Sequence, residues 1–352
     1  MLDNTQIQSC FLSREASLLA FNRRVLAQAR YPDVPLLERL RYITIVSSNL
    51  DEFFEVRFAD LLSDARNNHN EHAKADIAAI SKSAHELIDE QYTVFNDEVM
   101  PALREAGVFI LSHEERNEEQ KAWVQQFFIQ QVYPLLVPIG LDPAHPFPQV
   151  ANKSLNFIVG LDDHLDKSHP NRIAIVRVPR SLPRVIALPA SLSQGRQCFV
   201  KLSSVIRAHL SDLFAGRTVH AFSQFRVTRD SDIDVDEDDL QNLRTAVRTG
   251  LSTRHFGQAI RLEVVKSCPK YLSDILQQHF HLPDEALYRV KGPVNLVRLT
   301  QLIDQVKAPH LRFKAYKAVW PQSLETKVHA TPRYGGPGTT RTYDLTLIRG
   351  AL

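Results

Sequence analysis

Residues 47–57 combine polar and charged side chains at a spacing that suits a ligand site. Ser48 or Asn49 fits a helix N-cap, and Asp51 or Glu52 lies three residues on, which predicts that a helix begins here. The free backbone N–H groups and the positive end of the helix dipole at such a start favour an anionic or nucleotide ligand. The alternative is plain helix capping without a ligand, which is the commoner use of this pattern.

Three arginines flank two predicted strands further along the chain, Arg226, Arg229 and Arg261. Guanidinium groups suit phosphate because their planar donor fork matches its oxygens, so these side chains are candidates to line a path for a polyanion. The alternative is ion pairing with nearby carboxylates, which are Asp230, Asp232, Asp234 and Glu263.

The first hundred residues show apolar side chains at helical spacing, which predicts a helical bundle. Pro32 and Pro35 should break the first two helices, and a long helix is expected over residues 73–98. Pro101 and Gly107 mark its end. We therefore expect an N-terminal helical domain over residues 1–106.

Residues 107–318 alternate between β-branched runs and helical patterns, which predicts an α+β domain with a mixed or antiparallel sheet. The chain as a whole is therefore expected to be a multidomain α+β protein. Strands are expected near residues 156–160, 172–178, 184–188, 225–228 and 260–265, and helices near 114–136, 202–214, 237–256 and 296–306. Residues 319–352 lack any periodicity, so we expect a poorly ordered tail.

The composition fits an ordinary globular chain of 352 residues with two domains. The 42 basic and 40 acidic residues nearly cancel, so nothing in the net charge indicates nucleic acid as a partner. Cys10, Cys198 and Cys268 are widely scattered, which argues against a disulfide framework or a zinc site. With no signal peptide and no long apolar run for a transmembrane segment, we expect a cytoplasmic protein. Peripheral attachment to the inner membrane through a partner stays open.

Several sequence blocks resemble one known family. The N-terminal blocks, in order, are FLSRE from residue 11, LLAFNRRVL from residue 18, PLLERL from residue 35 and SSNLDEFFEVR from residue 47. They resemble the N-terminal domain of the longer bacterial polyphosphate kinases. DPAHPFP from residue 142, FRVTRD from residue 225, IRLEV from residue 260 and KGPVNL from residue 291 resemble the family's second, or head, domain.

The resemblance implies an enzyme that passes the terminal phosphate of ATP to a histidine and then to a growing inorganic polyphosphate chain. A histidine suits this two-step transfer because neutral imidazole can attack phosphorus and later leave. The family's nucleophile lies in C-terminal domains that have no counterpart here, so we expect no catalytic residue in this chain and no activity alone. ATP and Mg²⁺ belong to the full-length family, and we expect this chain alone to hold neither.

The resemblance also implies that Asn49 contacts ATP, since an amide offers both a donor and an acceptor to a base edge or ribose. Arg57 lies eight residues further, two helical turns on, and is expected to point toward the phosphates. A salt bridge with Asp51, Glu52 or Glu55 is the alternative for Arg57. Two alternatives apply to the chain as a whole. One is a non-catalytic module with a regulatory role or a role in dimerisation through the head domain, and the other is a non-functional remnant of a broken gene.

Overall fold

A computed structural model describes residues 13–68, 71–142, 147–163, 172–231 and 257–315, without the side chains of residues 64–74. The helix expected near residues 237–256 and the whole of the expected tail, residues 319–352, lie outside the described residues. Met1–Phe313 form one compact unit and Lys314–Leu352 a second. The domain boundary between residues 106 and 107 stays a prediction.

The N-terminal part is helical, as expected from its apolar periodicity. Ser13 caps the first helix by accepting a hydrogen bond from the Ala16 N–H (3.1 Å), and Pro35 stands immediately before the second helix. The helices are α1 (Arg14–Gln28), α2 (Leu36–Glu52), α3 (Ala59–Asn68), α4 (Glu71–Thr93) and α5 (Met100–Glu105), and π-helical turns over Phe53–Phe58 and Val94–Val99 join α2 to α3 and α4 to α5.

The predicted helix start at Ser48 or Asn49 is wrong, because α2 runs through both residues to Glu52. The polar residues that imitate a capping box make tertiary contacts instead. Ser47 accepts a hydrogen bond from Gln91 Nε2 (2.8 Å), and Asp51 binds two arginines of the sheet. Tertiary contacts have therefore decided the role of residues that local spacing assigned to capping.

Two sheets follow the helices. The larger has the strand order β2-β4-β3-β7-β8-β9, antiparallel except for the β8–β9 pair, and the smaller has the order β1-β6-β5, with β1 and β6 parallel. The strands are β1 (Val108–Ile110), β2 (Val137–Gly140), β3 (Asn156–Asp163), β4 (Arg172–Arg177), β5 (Val185–Ala187), β6 (Gln197–Lys201), β7 (Arg217–Arg229), β8 (Ala259–Val265) and β9 (Leu287–Val290).

The helices between and after the strands complete an α+β arrangement, which confirms the predicted fold class. The first of them begins with a reciprocal capping box between Asn117 and Gln120. They are α6 (Glu118–Phe127), α7 (Leu202–Ala208), α8 (Lys270–Phe280) and α9 (Thr300–Gln305), with a π-helical turn over Phe128–Val132 and a 3₁₀ turn over Leu296–Leu299. No helix in the described ranges is both long and apolar enough to cross a bilayer.

One hydrophobic core joins the N-terminal helices to the later part of the chain. Leu40 of α2 and Phe54 of the following π turn share it with Tyr288 of β9 and Leu302 of α9. The other two cores lie within the sheet region, one around α6 and α7 and one around α8. Because the first core draws on both parts, residues of α2 come to lie directly beside β7 and β8.

Candidate functional site

Asn49 lies on α2 and is partly buried beside α1. Its Nδ2 donates to Oδ1 of Asn22 (2.9 Å), and Nδ2 of Asn22 in turn donates to the backbone carbonyl of Leu18 (2.9 Å). Asn22 is only 2% exposed, so its side chain is fixed and holds the Asn49 amide in one orientation. The carbonyl oxygen of the Asn49 side chain has no hydrogen-bond partner among the described residues.

The surface around Asn49 is partly apolar. Ile45 lies one turn before Asn49 on the same face of α2 and is 37% exposed, and Phe21, next to Asn22 on α1, is 47% exposed. The Arg24 guanidinium lies 5.8 Å from the centre of the Phe21 ring, and Ser48 is exposed. An apolar face with a free amide and a nearby cation suits one side of a nucleotide, while the other side would stay in water.

Arg57 lies in the π-helical turn, where Nη1 is 3.8 Å from Oδ2 of Asp60. The described residues give it this partner rather than Asp51, Glu52 or Glu55. The two-turn spacing from Asn49 assumed a regular α-helix, and the wider π turn after Glu52 changes the register of the side chains. That spacing argument therefore no longer supports a shared face, and a phosphate contact by Arg57 stays a prediction.

Arg226 and Arg261 belong to a buried ion cluster with Asp51 and Glu263. Arg226 donates two hydrogen bonds to Asp51, from Nη1 to Oδ2 (2.9 Å) and from Nη2 to Oδ1 (2.8 Å). Arg261 Nη2 also donates to Asp51 Oδ1 (2.6 Å). Glu263 pairs with Arg226 Nε, and its Oε2 lies 3.3 Å from Arg261 Nη2. The cluster ties α2 to β7 and β8.

The same arginines are fixed further by the surrounding residues. Arg261 donates from Nη2 to Thr228 Oγ1 (3.0 Å) and stacks its guanidinium 4.4 Å from the centre of the Phe54 ring. Arg226 is 2% exposed and Arg261 is 1% exposed. The structure therefore contradicts the expectation that these two side chains line an open polyanion path, and the ion-pair alternative holds through Glu263 and Asp51.

Arg229 is only partly buried, unlike Arg226 and Arg261. Its Nη1 donates to the carbonyl of Gly257 (3.0 Å), and its guanidinium lies 5.5 Å from the centre of the Phe280 ring. Burial lowers the pKa of Arg229 below its usual value. A contact between Arg229 and a polyanion stays a prediction.

The ion cluster sets the protonation of the groups around it. Burial raises the pKa of Asp51, but the charges of Arg226 and Arg261 outweigh burial and hold that pKa below its ordinary value. Burial disfavours the charged form of Arg226, yet Asp51 and Glu263 raise its pKa well above the usual range. The pKa of Tyr92 is raised by burial and by the charge of Glu263. Asp51 and Arg226 therefore face each other as an ionised pair at neutral pH.

The described residues form no group of three or more His, Cys, Asp or Glu side chains that could bind a metal ion.

Asn22 is the functional candidate that sequence reasoning missed. It occupies a buried position of α1 between Leu19 and Leu26, at the three- and four-residue spacing of the apolar stripe. A single amide among buried apolar positions needs a polar partner, because an unpaired buried amide is costly. The position of Asn22 in the apolar stripe was therefore the feature of the sequence that could have identified it. Its partner on α2 is Asn49, the residue for which the family resemblance implies a contact with ATP.

Comparison with known proteins agrees with the residue blocks. A family model described as the polyphosphate kinase N-terminal domain matches residues 11–111, and one described as the polyphosphate kinase middle domain matches residues 119–302. A polyphosphate kinase of Neisseria meningitidis serogroup B is 48% identical over 315 residues, covering 88% of this chain and 46% of that protein. One of Burkholderia cenocepacia is 44% identical over 316 residues, with 88% and 46% covered.

A solved structure agrees as well. The crystal structure of polyphosphate kinase from Porphyromonas gingivalis has a TM-score of 0.76 and 25% sequence identity, covering 90% of this chain and 44% of that chain. The chain thus spans about half the length of the relatives it matches. With both family models matched in order and with the fold shared, the chain belongs to the polyphosphate kinase family.

Proposed function

We propose that this chain provides the nucleotide-contacting side of a polyphosphate kinase, which transfers the terminal phosphate of ATP to inorganic polyphosphate. The observation that carries the proposal is the Asn49 amide, which Asn22 holds at a partly exposed surface while its carbonyl oxygen has no hydrogen-bond partner among the described residues. A pre-oriented amide loses little freedom on binding, so it can contribute a directional contact to a base or ribose. Arg57 and Arg229 are secondary candidates for phosphate contact.

We propose further that phosphoryl transfer needs a histidine supplied from outside the two domains matched here. Two histidines of the described residues, His209 and His85, already contact neighbouring polar groups. His209 Nδ1 lies 3.1 Å from Asp212 Oδ2, and His85 Nε2 lies 2.9 Å from the Glu285 carbonyl while stacking on Tyr288. Such contacts favour structural roles for these rings. The 352-residue chain alone should therefore form no polyphosphate from ATP and Mg²⁺.

The deciding experiment joins this chain to the remaining half of a family member such as the Neisseria meningitidis relative and measures initial rates against ATP concentration. Asn49→Ala should raise the KM for ATP about 2- to 10-fold, since it removes one hydrogen bond worth about 0.5–1.5 kcal/mol. Ser48→Ala, at the exposed neighbouring position, is the matched control and should leave the KM unchanged. An unchanged KM in the folded Asn49→Ala enzyme would remove Asn49 from the nucleotide site.

A second candidate, a module that forms homodimers through the head domain, draws on one exposed apolar surface. Four large side chains around β2, the edge strand of the larger sheet, are about half exposed: Ile129 (55%), Tyr133 (47%), Leu135 (46%) and Val137 (57%). Contiguous apolar surface on a sheet edge favours association with another chain.

Light scattering at increasing protein concentration tests this second candidate. Val137→Lys should shift the chain toward monomer, because it replaces an exposed apolar side chain of β2 with a charged one. Tyr31→Lys, which replaces a 54% exposed aromatic residue elsewhere, is the control. A wild-type chain that stays monomeric at every concentration would rule the candidate out.

A further inference from the structure

A narrow cleft between the smaller sheet and the segment before α9 is lined by five cationic side chains. They are Lys153, Arg180, Arg184, Lys201 and Arg298, and the described residues of the lining include no carboxylate. Arg184 immediately precedes β5, Lys201 ends β6, and Arg298 lies in the 3₁₀ turn before α9. Cations from four separate segments therefore converge on one small space, although the net charge of the whole chain is only +2.

Within the part of the chain that the structure describes, most of these charges have no counter-charge. Lys153 pairs with Glu55 (Nζ to Oε2, 2.6 Å), but Arg184, Lys201 and Arg298 have no carboxylate within ion-pair distance among the described residues. Arg184 Nη1 is buried without any hydrogen-bond partner there, and Nη2 makes only a long contact to the Val178 carbonyl (3.4 Å). A buried guanidinium nitrogen that lacks an acceptor is costly unless a ligand provides one.

The electrostatics of the cleft agree with this geometry. Burial, together with the charges of Arg298 and Arg180, lowers the pKa of Arg184 to about 10. Burial and the charge of Arg207 also lower the pKa of Lys201. Like charges held together at a partly buried site repel one another, so an anion bound between them would relieve the repulsion. Perturbed cations that converge on a cleft are typical of a binding site.

Two further groups that line the cleft indicate which kind of anion it would bind. The side-chain oxygens Gln224 Oε1 and Asn295 Oδ1 are buried and have no donor among the described residues. Beside an anion, such an acceptor gains a donor if the anion itself carries a proton, whereas a half-turn of the amide would present its NH2 group to the anion instead. Hydrogen phosphate, with a P–OH group, offers that donor at neutral pH, whereas sulfate does not.

The size of the cleft limits the ligand to one small group. About 40 Å³ is open to the centres of water-sized molecules, which is room for one tetrahedral oxoanion and not for a nucleotide. The cleft is partly open to solvent, so a chain of phosphates could extend outward from an anchored end.

We propose that this cleft binds a phosphate group, with Arg184, Lys201 and Arg298 as its cationic ligands. The phosphate is either free hydrogen phosphate or the end group of an inorganic polyphosphate chain. Asn49 takes no part in the cleft, so the site is separate from the proposed nucleotide contact. Binding needs neither ATP nor a catalytic histidine.

Isothermal titration calorimetry tests the proposal. The 352-residue chain is titrated with inorganic phosphate, tripolyphosphate and sulfate at constant ionic strength. Arg298→Gln should weaken phosphate or tripolyphosphate binding about 10- to 100-fold, since it removes hydrogen bonds to a charged group. Arg298 makes no side-chain hydrogen bond to described residues, so this variant should fold normally. Arg14→Gln, which removes an exposed arginine of α1, is the matched control and should bind as the wild type does.

Lys201→Gln is a second variant with the same expectation, and thermal melting verifies that each variant is folded. Tighter binding of tripolyphosphate than of phosphate would identify a chain end as the ligand, and the reverse would identify free phosphate. Sulfate binding as tight as phosphate binding would overturn the roles of Gln224 and Asn295. No binding of any oxoanion, or equal loss in Arg298→Gln and Arg14→Gln, would overturn the site itself. None of these outcomes depends on the ATP experiment with Asn49.

Discussion

Asp51 and Arg226 form a two-point ion pair between α2 and β7, with both carboxylate oxygens bound by the two Nη atoms at 2.8 and 2.9 Å. The residues are 175 positions apart in sequence, so the pair fixes how the helical bundle meets the larger sheet. Bidentate geometry of this kind is directional as well as strong. The pair accounts for one charged residue in each of two sequence blocks: Asp51 and Arg226 join parts of the protein rather than contact a ligand.

Asp51→Asn should be strongly destabilising. It leaves Arg226 and Arg261 buried with only Glu263 to balance them, and breaking a buried ion pair from one side costs about 3–5 kcal/mol. Urea denaturation followed by circular dichroism measures the free energy of unfolding. Glu52→Gln, at the exposed neighbouring position, should change it by no more than about 0.5 kcal/mol. Equal effects of the two substitutions would show that the ion pair has little influence on stability.

The contribution of Asp51 should also depend on pH. Its pKa in the folded protein lies below the ordinary value of 3.8, so the stabilisation is fully present above 3.8 and is lost as the pH falls from there toward the folded pKa. The difference in unfolding free energy between wild type and Asp51→Asn should be constant from pH 7 to pH 5. Below pH 3.8 it should shrink by up to about 1.4 kcal/mol per pH unit. A difference that grows on acidification would contradict the sign of this shift.

Periodicity predicted most of the fold, because long amphipathic helices and β-branched strands carry their pattern locally. The helical bundle and the strands near residues 172–178 and 260–265 were found as expected. The short strands β1, β2, β6 and β9 were missed, because three to five residues are too few to show a clear alternation. The amphipathic helix α8 was also missed, although Pro269 precedes it and His281 ends it in a left-handed conformation.

The site was harder to predict because partners far apart in sequence decide it. Arg226 and Thr228 on β7 lie opposite Glu263 and Arg261 on β8, so one face of two strands presents a set of polar groups to α2. Only the packing of α2 against the sheet shows that Asp51 pairs with the two arginines of this face. Residue type alone could not separate an arginine that binds a ligand from one that binds Asp51.

Gly292→Ala should destabilise the protein through a steric contact. A Cβ at residue 292 would lie 3.0 Å from Cε1 and 3.2 Å from Cδ1 of Tyr92. Tyr92 is 3% exposed and donates its hydroxyl to the carbonyl of Pro293, so its ring has little freedom to move away. Overpacking of this kind costs about 1–3 kcal/mol.

Gly140→Ala is the matched control for this glycine. A Cβ at residue 140, on β2, would meet no atom within 4 Å. The two variants should therefore differ in melting temperature, with Gly292→Ala lower. Similar melting temperatures would mean that Tyr92 shifts freely, and that the block beginning at Lys291 does not need a glycine for packing.

Asn22→Ala should affect both stability and the proposed nucleotide contact. Asn22 is buried and bonds both Leu18 and Asn49, so its truncation should cost about 1–3 kcal/mol, more than Asn49→Ala, whose amide is partly in water. In the joined enzyme, Asn22→Ala should also raise the KM for ATP without a matching fall in kcat, because the Asn49 amide loses its orientation. Denaturation and ATP kinetics on the same preparations separate these effects. If Asn22→Ala lowers stability while the folded enzyme keeps the wild-type KM, Asn22 only packs α1 against α2, and the orientation of Asn49 does not depend on it.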